Sequence, residues 1–149
     1  MYKKEVQHLL EDDQEHQKPA DILIYNWEAG RSVCVDVGIA NAFERYNATQ
    51  RPFDRKDTLI DKENVKYSKY LAACERQNLV LVPFICGSLG FFNDAAEQLI
   101  KDLGTAWSSA TEVSRDWAIC ELRCRISYTV QKAQANAWLR RGREGDVLL

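Results

Sequence analysis

Lys18-Pro19-Ala20-Asp21-Ile22-Leu23-Ile24 and Val33-Cys34-Val35-Asp36-Val37 read as the two arms of one β-hairpin. Between them, Asn26-Trp27-Glu28-Ala29-Gly30-Arg31 is polar and contains the glycine that tight turns favour. Its length suits strands of about six residues. With the turn centred between Glu28 and Ala29, cross-strand partners sum to 57, so Asp21 faces Asp36 while Ile22 and Ile24 face Val35 and Val33. Apolar residues then share one face and the carboxylates the other. A turn one residue off would move Asp36 to the face opposite Asp21, and the hydrophobic pattern argues against that slip. Like charges directly opposite one another destabilise a ladder by about 0.2–1 kcal/mol. A bound cation is the simplest reconciliation, and two hard oxygen ligands suit Mg²⁺ or Mn²⁺.

Outward from the hairpin, Val6, Leu9 and Leu10 fit a short amphipathic helix over residues 2–11, followed by the polar segment Glu11 to Gln17. Gly38 to Phe43 either extends the second strand or begins a third, and Ala48 to Thr58 reads as a mobile loop. From Leu59 to Gln77, Tyr67, Tyr70, Leu71 and Cys74 recur at helical spacing, with Lys62, Lys66 and Lys69 along the flank. Asn78 stops that helix. Leu79 to Cys86 is a continuous apolar run, the mark of a strand buried on both faces, although Pro83 is awkward in a central strand. A Gly87-Ser88-Leu89-Gly90 turn leads to a helix at about 92–103, and residues 112–141 continue as one or two helices. The expected fold is α/β: a small mixed sheet flanked by helices, with additional C-terminal helices.

At 149 residues the chain can bury about two-thirds of its unfolded surface as one domain. That domain spans residues 1–149, with a core at about 18–105 and a helical extension at about 111–141. The longest apolar run is far short of the roughly 18 residues a bilayer requires. The acidic Glu11-Asp12-Asp13-Gln14-Glu15 stands where a secretory signal would need its apolar stretch, so an intracellular location is expected and no membrane partner. Five scattered cysteines (Cys34, Cys74, Cys86, Cys120, Cys124) read as reduced core residues. Cys120 and Cys124 are four apart on a helix, but no further cysteine or histidine completes a zinc site. A net charge of −2 excludes a strongly basic domain. It also hides a gradient: residues 1–65 carry 9 Lys/Arg against 13 Asp/Glu, and residues 66–149 carry 11 against 9, with Arg140, Arg141 and Arg143 bunched at the end.

Hydrolysis of a phosphodiester with Mg²⁺ requires carboxylates for the metal, a backbone carbonyl near the second carboxylate, and a lysine to steady the attacking water or the developing charge. Asp21, Asp36 and the helix lysines supply all three components. The bland alternative makes Asp21 the first polar residue of a strand, Asp36 an edge charge that discourages aggregation, and the lysines a solvated helix face. Ser88 in Cys86-Gly87-Ser88-Leu89-Gly90 departs from a Gly-x-Ser-x-Gly elbow because its first glycine is adjacent, and His8 and His16 lie in a polar N-terminal segment. No phosphate-binding Gly-rich loop occurs. Trp27 at the hairpin tip is a candidate contact to nucleic acid, and Tyr25, Tyr67, Tyr70, Phe91 and Phe92 belong mostly to packing. Trp107, Trp117 and Trp138 are assigned to the core or to a partner surface.

Lys18-Pro19-Ala20-Asp21, then Val35-Asp36-Val37, then Lys66-Tyr67-Ser68-Lys69-Tyr70, resembles the restriction-endonuclease-like domain that follows the reverse transcriptase in site-specific non-LTR retrotransposons. Those domains belong to the PD-(D/E)XK nuclease superfamily. The likeness continues through Val82-Pro83-Phe84, Gly90 and the Val130–Ala137 helix, covering residues ~18–141 with short motifs in the right order. It implies an α-β-β-β-α-β core and a metal-dependent DNA endonuclease of retroelement origin. DNA would be its partner, with a reverse transcriptase domain of the same element, and it would be nuclear in a eukaryote. Asp21 and Asp36 would be the Mg²⁺ or Mn²⁺ ligands, assisted by the Val37 carbonyl. The superfamily's lysine normally stands two residues after the second acid, but that position is Gly38. The amine would therefore come from Lys66 or Lys69, as the pattern Lys-x-x-Lys-Tyr implies. Glu5 or Glu11 could add a carboxylate. The alternative is a catalytically inactive module of the same fold, serving DNA docking or protein interaction, and the oligomeric state is left open.

Overall fold

The computed structural model describes residues 2–6, 20–28, 30–41 and 55–145. The hairpin is present as β2 (Ala20–Glu28) and β3 (Arg31–Ala40). Ile22, Leu23 and Ile24 pair with Val35, Cys34 and Val33, the register in which partners sum to 57. One step further, that register sets Asp21 opposite Asp36. The turn itself lies one residue later than expected, with Glu28 opposite Arg31. An irregularity between Ile24 and Glu28 absorbs the difference, where Asn26 has φ 51°. A short side chain that tolerates the left-handed region is what such a bulge needs.

Gly38-Ile39-Ala40 extends β3, so the third strand comes from elsewhere: β1 (Tyr2–Val6) pairs antiparallel with β2, Tyr2 opposite Ile24 and Val6 opposite Ala20. The helix expected over 2–11 is thereby corrected in its first half, and residues 7–11 and the polar segment to Gln17 lie outside the described residues. Three apolar positions are a weak helical signal, and pairing along a preformed strand outweighs it. Helix α1 (Arg55–Arg76) crosses over to β4 (Leu79–Gly87), which runs parallel to β3 from Ser32 opposite Leu79 to Ala40 opposite Gly87. Arg55 to Thr58, expected as loop, form the first turn of α1; residues 42–54 lie outside the described residues. Past the end of α1, Asn78, with a φ of 56° and an amide bond to the Glu75 carbonyl (3.0 Å), turns the chain out of the helix.

The sheet order is β1-β2-β3-β4. Pro83 is thus on an edge strand of the described sheet, where its missing N–H breaks no ladder. Its carbonyl instead accepts from Asn93 Nδ2 (2.9 Å). The same Asn93 side chain accepts from the Ile85 amide (3.0 Å) and caps helix α2 (Asp94–Ala110) by accepting from the Ala96 amide (3.3 Å). Helix α3 (Arg115–Gly145) is continuous and returns along α2. The two approach closely at Gly104, where a Cβ would lie 2.5 Å from Ile119 Cγ1. The fold is therefore mixed α/β with a C-terminal helical pair.

Both sheet faces are covered. Between α1 and the sheet, Tyr70 and Cys74 pack with Ala20, Leu23, Cys34 and Leu81; on the other face Ala96, Leu99 and Ile100 of α2 pack with Val33, Val35 and Phe84. The face carrying the carboxylates is thus apolar too, because Leu23 and Cys34 share it, whereas Leu71 of the expected helix stripe is exposed. Trp27 packs against the α2–α3 side and is no free contact at the hairpin tip. Trp107 and Trp117 meet edge to face at 5.5 Å between α2 and α3. Among the described residues no helix is long and apolar enough to cross a membrane.

Candidate functional site

The crossover fixes which side chains of α1 reach the carboxylates. Lys62, Lys66, Tyr70 and Cys74 are four residues apart, one stripe of the helix. Tyr70 and Cys74 are buried against the sheet, so the two lysines extend the same stripe towards the helix N-terminus. α1 carries the chain back from the end of β3 to the start of β4, so its N-terminal half lies over the C-terminal end of β3. Lys66 Nζ donates to Asp36 Oδ1 at 2.6 Å and lies 3.5 Å from the Val37 carbonyl, and Lys62 Nζ donates to the Ile39 carbonyl at 3.0 Å.

Lys69 lies off this stripe. Its ammonium stands 4.8 Å from the centre of the Tyr70 ring, and it influences Asp36 through its charge rather than by a hydrogen bond. Of the two candidate lysines, then, the fold brings Lys66 to the carboxylates. The Lys66 chain crosses β3 at Gly38, where a Cβ would make ordinary contact with Lys66 Cε at 3.7 Å; the glycine is required instead by Ile85, whose Cδ1 would stand 2.9 Å from that Cβ.

Asp36 is 5% exposed, whereas Asp21 is exposed at the strand edge. The Val37 amide donates to Asp21 Oδ2 at 2.8 Å, which holds that carboxylate against β3. Burial pushes the Asp36 carboxyl above the ordinary aspartate range. The Lys66 hydrogen bond and charge pull it back, Asp21 pushes it up again, Lys69 pulls it down, and the balance remains upward. Burial, rather than a lack of positive charge, sets that direction. Asp36 Oδ2 is buried and has no hydrogen-bond partner among the described residues.

Asp36 Oδ2, Asp21 and the Val37 carbonyl are the oxygen atoms near Lys66 that could hold a hard divalent cation. No group of three or more His, Cys, Asp or Glu is placed to hold a metal among the described residues. A cation here would take the rest of its shell from water or a substrate phosphate, as Mg²⁺ commonly does. Nothing is described for the Glu5 side chain, and Glu11 lies outside the described residues.

Below the site, the Cys34 and Cys74 thiols are both fully buried. The hydrogen bond with Cys74 and burial push the Cys34 thiol up, so it stays protonated and inert. Burial likewise pushes Cys86 up, to about 11. Cys120 and Cys124 sit exposed on successive turns of α3, contrary to their expected place in the core. Ser88 sits in a turn closed by Gly90, its amide donating to the Ala40 carbonyl (2.8 Å); His8 and His16 lie outside the described residues.

Lys62 had no separate role in the sequence reading. Its four-residue spacing from Lys66 and Tyr70 was the available signal. No family model, curated protein or solved structure matches the chain.

Proposed function

We propose that the protein is a metal-dependent endonuclease that hydrolyses DNA phosphodiester bonds, with Asp21, Asp36 and Lys66 at its centre. One observation carries this reading: the Lys66 ammonium lies 2.6 Å from one oxygen of a buried carboxylate whose other oxygen has no partner among the described residues. Lysine-compensated buried acids with shifted ionisation are characteristic of reacting sites. Mg²⁺ or Mn²⁺, held by Asp21, Asp36 and the Val37 carbonyl, would supply Lewis acidity and a water of lowered pKa. Asp36 orients Lys66. The Lys66 ammonium, fixed over Val37, is positioned to steady the attacking water and the charge that develops on the phosphate as the P–O bond to the leaving sugar oxygen breaks. Lys62, one turn away, extends the positive edge towards an incoming phosphate. Retroelement origin, DNA and a reverse transcriptase domain as partners, and a nuclear location in a eukaryotic host belong to the same proposal.

The second reading, an inactive module of the same fold, is favoured by one observation. Lys66 already occupies the most obvious cation position beside Asp36 Oδ1, and among the described residues only two carboxylates converge there. Cleavage of supercoiled DNA in Mg²⁺ or Mn²⁺ decides between them. Asp36→Ala and Lys66→Ala are each expected to reduce cleavage by at least about 10²-fold, whereas Lys69→Ala is expected to retain most of it. Binding of DNA without cleavage by the wild-type chain would leave the inactive module as the answer.

A further inference from the structure

We infer that the C-terminal half of α3 is a docking arm for the phosphate backbone of duplex DNA, delivering it to the end of the sheet that carries Asp36 and Lys66. The inference rests on the DNA reading above and adds the surface that binds the substrate. Between Leu122 and Arg143 the chain contains six Lys/Arg and no Asp or Glu, while the rest of the chain has 14 Lys/Arg against 22 Asp/Glu. Positive charge is therefore concentrated in one helical segment of an otherwise acidic protein, the footprint expected for phosphate contact.

Within that segment, Arg123 pairs with Glu97 and Arg125 with Glu121, so the base of the helix is compensated by its neighbours. Further along, Lys132 and Arg140 are exposed, and Glu144 is the first carboxylate after them. Lys132 stands 5.7 Å from the Tyr128 ring, which is itself 66% exposed, and Trp138 is 72% exposed.

The arm reaches the same end of the sheet as the candidate site, from the layer opposite α1. Ser127 Oγ donates to the Gly90 carbonyl (3.1 Å) and Gln131 Nε2 to the Leu89 carbonyl (3.4 Å). Leu89 and Gly90 follow two and three residues after Gly87, which pairs with Ala40, four residues beyond Asp36 on β3. α3 thus passes the C-terminal end of β3 and β4 at residues 127–131, and its remaining turns, residues 132–145, extend about 21 Å beyond that end. A duplex lying across this end of the sheet would meet the arm and approach the exposed Asp21.

The charge pattern selects this occupant over others. A second copy of the chain would bring the same acid-free surface against itself. A membrane surface would require an apolar stripe, and from Gln131 to Arg140 the only large apolar residues are the adjacent Trp138 and Leu139.

The test is binding of the full chain to a short fluorescein-labelled duplex, followed by anisotropy without divalent metal across a range of salt. Lys132→Glu/Arg140→Glu is compared with Lys101→Glu, an exposed lysine on α2, and circular dichroism confirms that each is folded. The double variant is expected to bind at least about tenfold more weakly, with the slope of log K against log salt reduced by about 2; Lys101→Glu is expected to match the wild type. Equal affinity and slope for the double variant would overturn the arm while leaving the cleavage result untouched. A wild-type chain that ignores DNA but sediments with anionic vesicles would overturn it in favour of a membrane contact. Loss of cleavage on Asp36→Ala with unchanged duplex binding would uphold the two readings separately.

Discussion

Replacing Lys66 with methionine removes the ammonium from Asp36 while keeping a chain of similar length over Gly38. In the wild type, the Lys66 side chain is 26% exposed and the Asp36 side chain 7%. The pair lies between two limits: exposed ion pairs contribute about 0.2–1 kcal/mol, and removing one partner of a fully buried pair costs about 3–5 kcal/mol. The Asp36 carboxyl can relieve part of that cost by taking up a proton. A loss of about 1–3 kcal/mol at pH 8 is therefore expected for Lys66→Met, roughly 2–4 °C in midpoint for each kcal/mol at this size. The pH dependence has a definite sign. Burial already holds the Asp36 carboxyl above its ordinary range, so between that range and its raised value the native state binds more protons than the unfolded one. Stability then falls as pH rises through that window. Without Lys66 the carboxyl rises further. The destabilisation by Lys66→Met should be small below the ordinary aspartate range, where Asp36 is neutral in both states, and should grow with pH to a plateau. In an Asp36→Asn background the same substitution should cost under about 0.5 kcal/mol at any pH, because there is no buried charge to strand. Urea denaturation of the four proteins at several pH values measures the coupling directly. An equal loss in both backgrounds, or one that ignores pH, would refute the electrostatic account of the site.

Two further substitutions test the scaffold that holds the site. Asn93→Ala removes a 4%-exposed side chain that bonds Ile85, Pro83 and Ala96, and is expected to cost about 2–4 kcal/mol in urea denaturation; a cost under about 1 kcal/mol would show that water replaces those bonds. Gly104→Ala places a Cβ 2.5 Å from Ile119 Cγ1 and 3.1 Å from the Ile119 backbone nitrogen, so it is expected to destabilise by about 1–3 kcal/mol despite the better helix propensity of alanine. A rise in melting temperature would mean that α2 and α3 separate without cost.

How much of this was legible in the sequence varied with the range of the interaction. The register of β2 and β3 was legible because Ile22, Ile24, Val33 and Val35 alternate with the carboxylates, and a slip of one would put Ile22 and Ile24 on the face opposite Val33 and Val35. The position of the turn was not, because the bulge at Asn26 compensates for it locally. β1 was misread as helix because Lys3-Lys4-Glu5 carries no strand alternation, and its partner Leu23 is distant in sequence. Asn78 and the apolar run after it marked the end of α1 and the course of β4 correctly. On α3 the helical period was visible, but it could not show that the segment after Gln131 leaves the body of the protein; Trp138, assigned to core or partner surface, is exposed.

At the candidate site, the two acids were visible and the choice of lysine was not, although the deciding information was present. Lys66, unlike Lys69, stands four and eight residues before the two helix residues, Tyr70 and Cys74, that are buried against the sheet. The register of Lys66 with Tyr70 and Cys74 already separates it from Lys69 in the sequence. Gly38, where the resemblance leads one to expect a lysine, answers to packing instead: a Cβ there would stand 2.9 Å from Cδ1 of the fully buried Ile85 but in ordinary contact, 3.7 Å, with Lys66 Cε. A lysine on the strand at position 38 would have to displace Ile85 from the core. The ammonium beside Asp36 comes instead from the helix, where Lys66 reaches it at 2.6 Å without disturbing that packing.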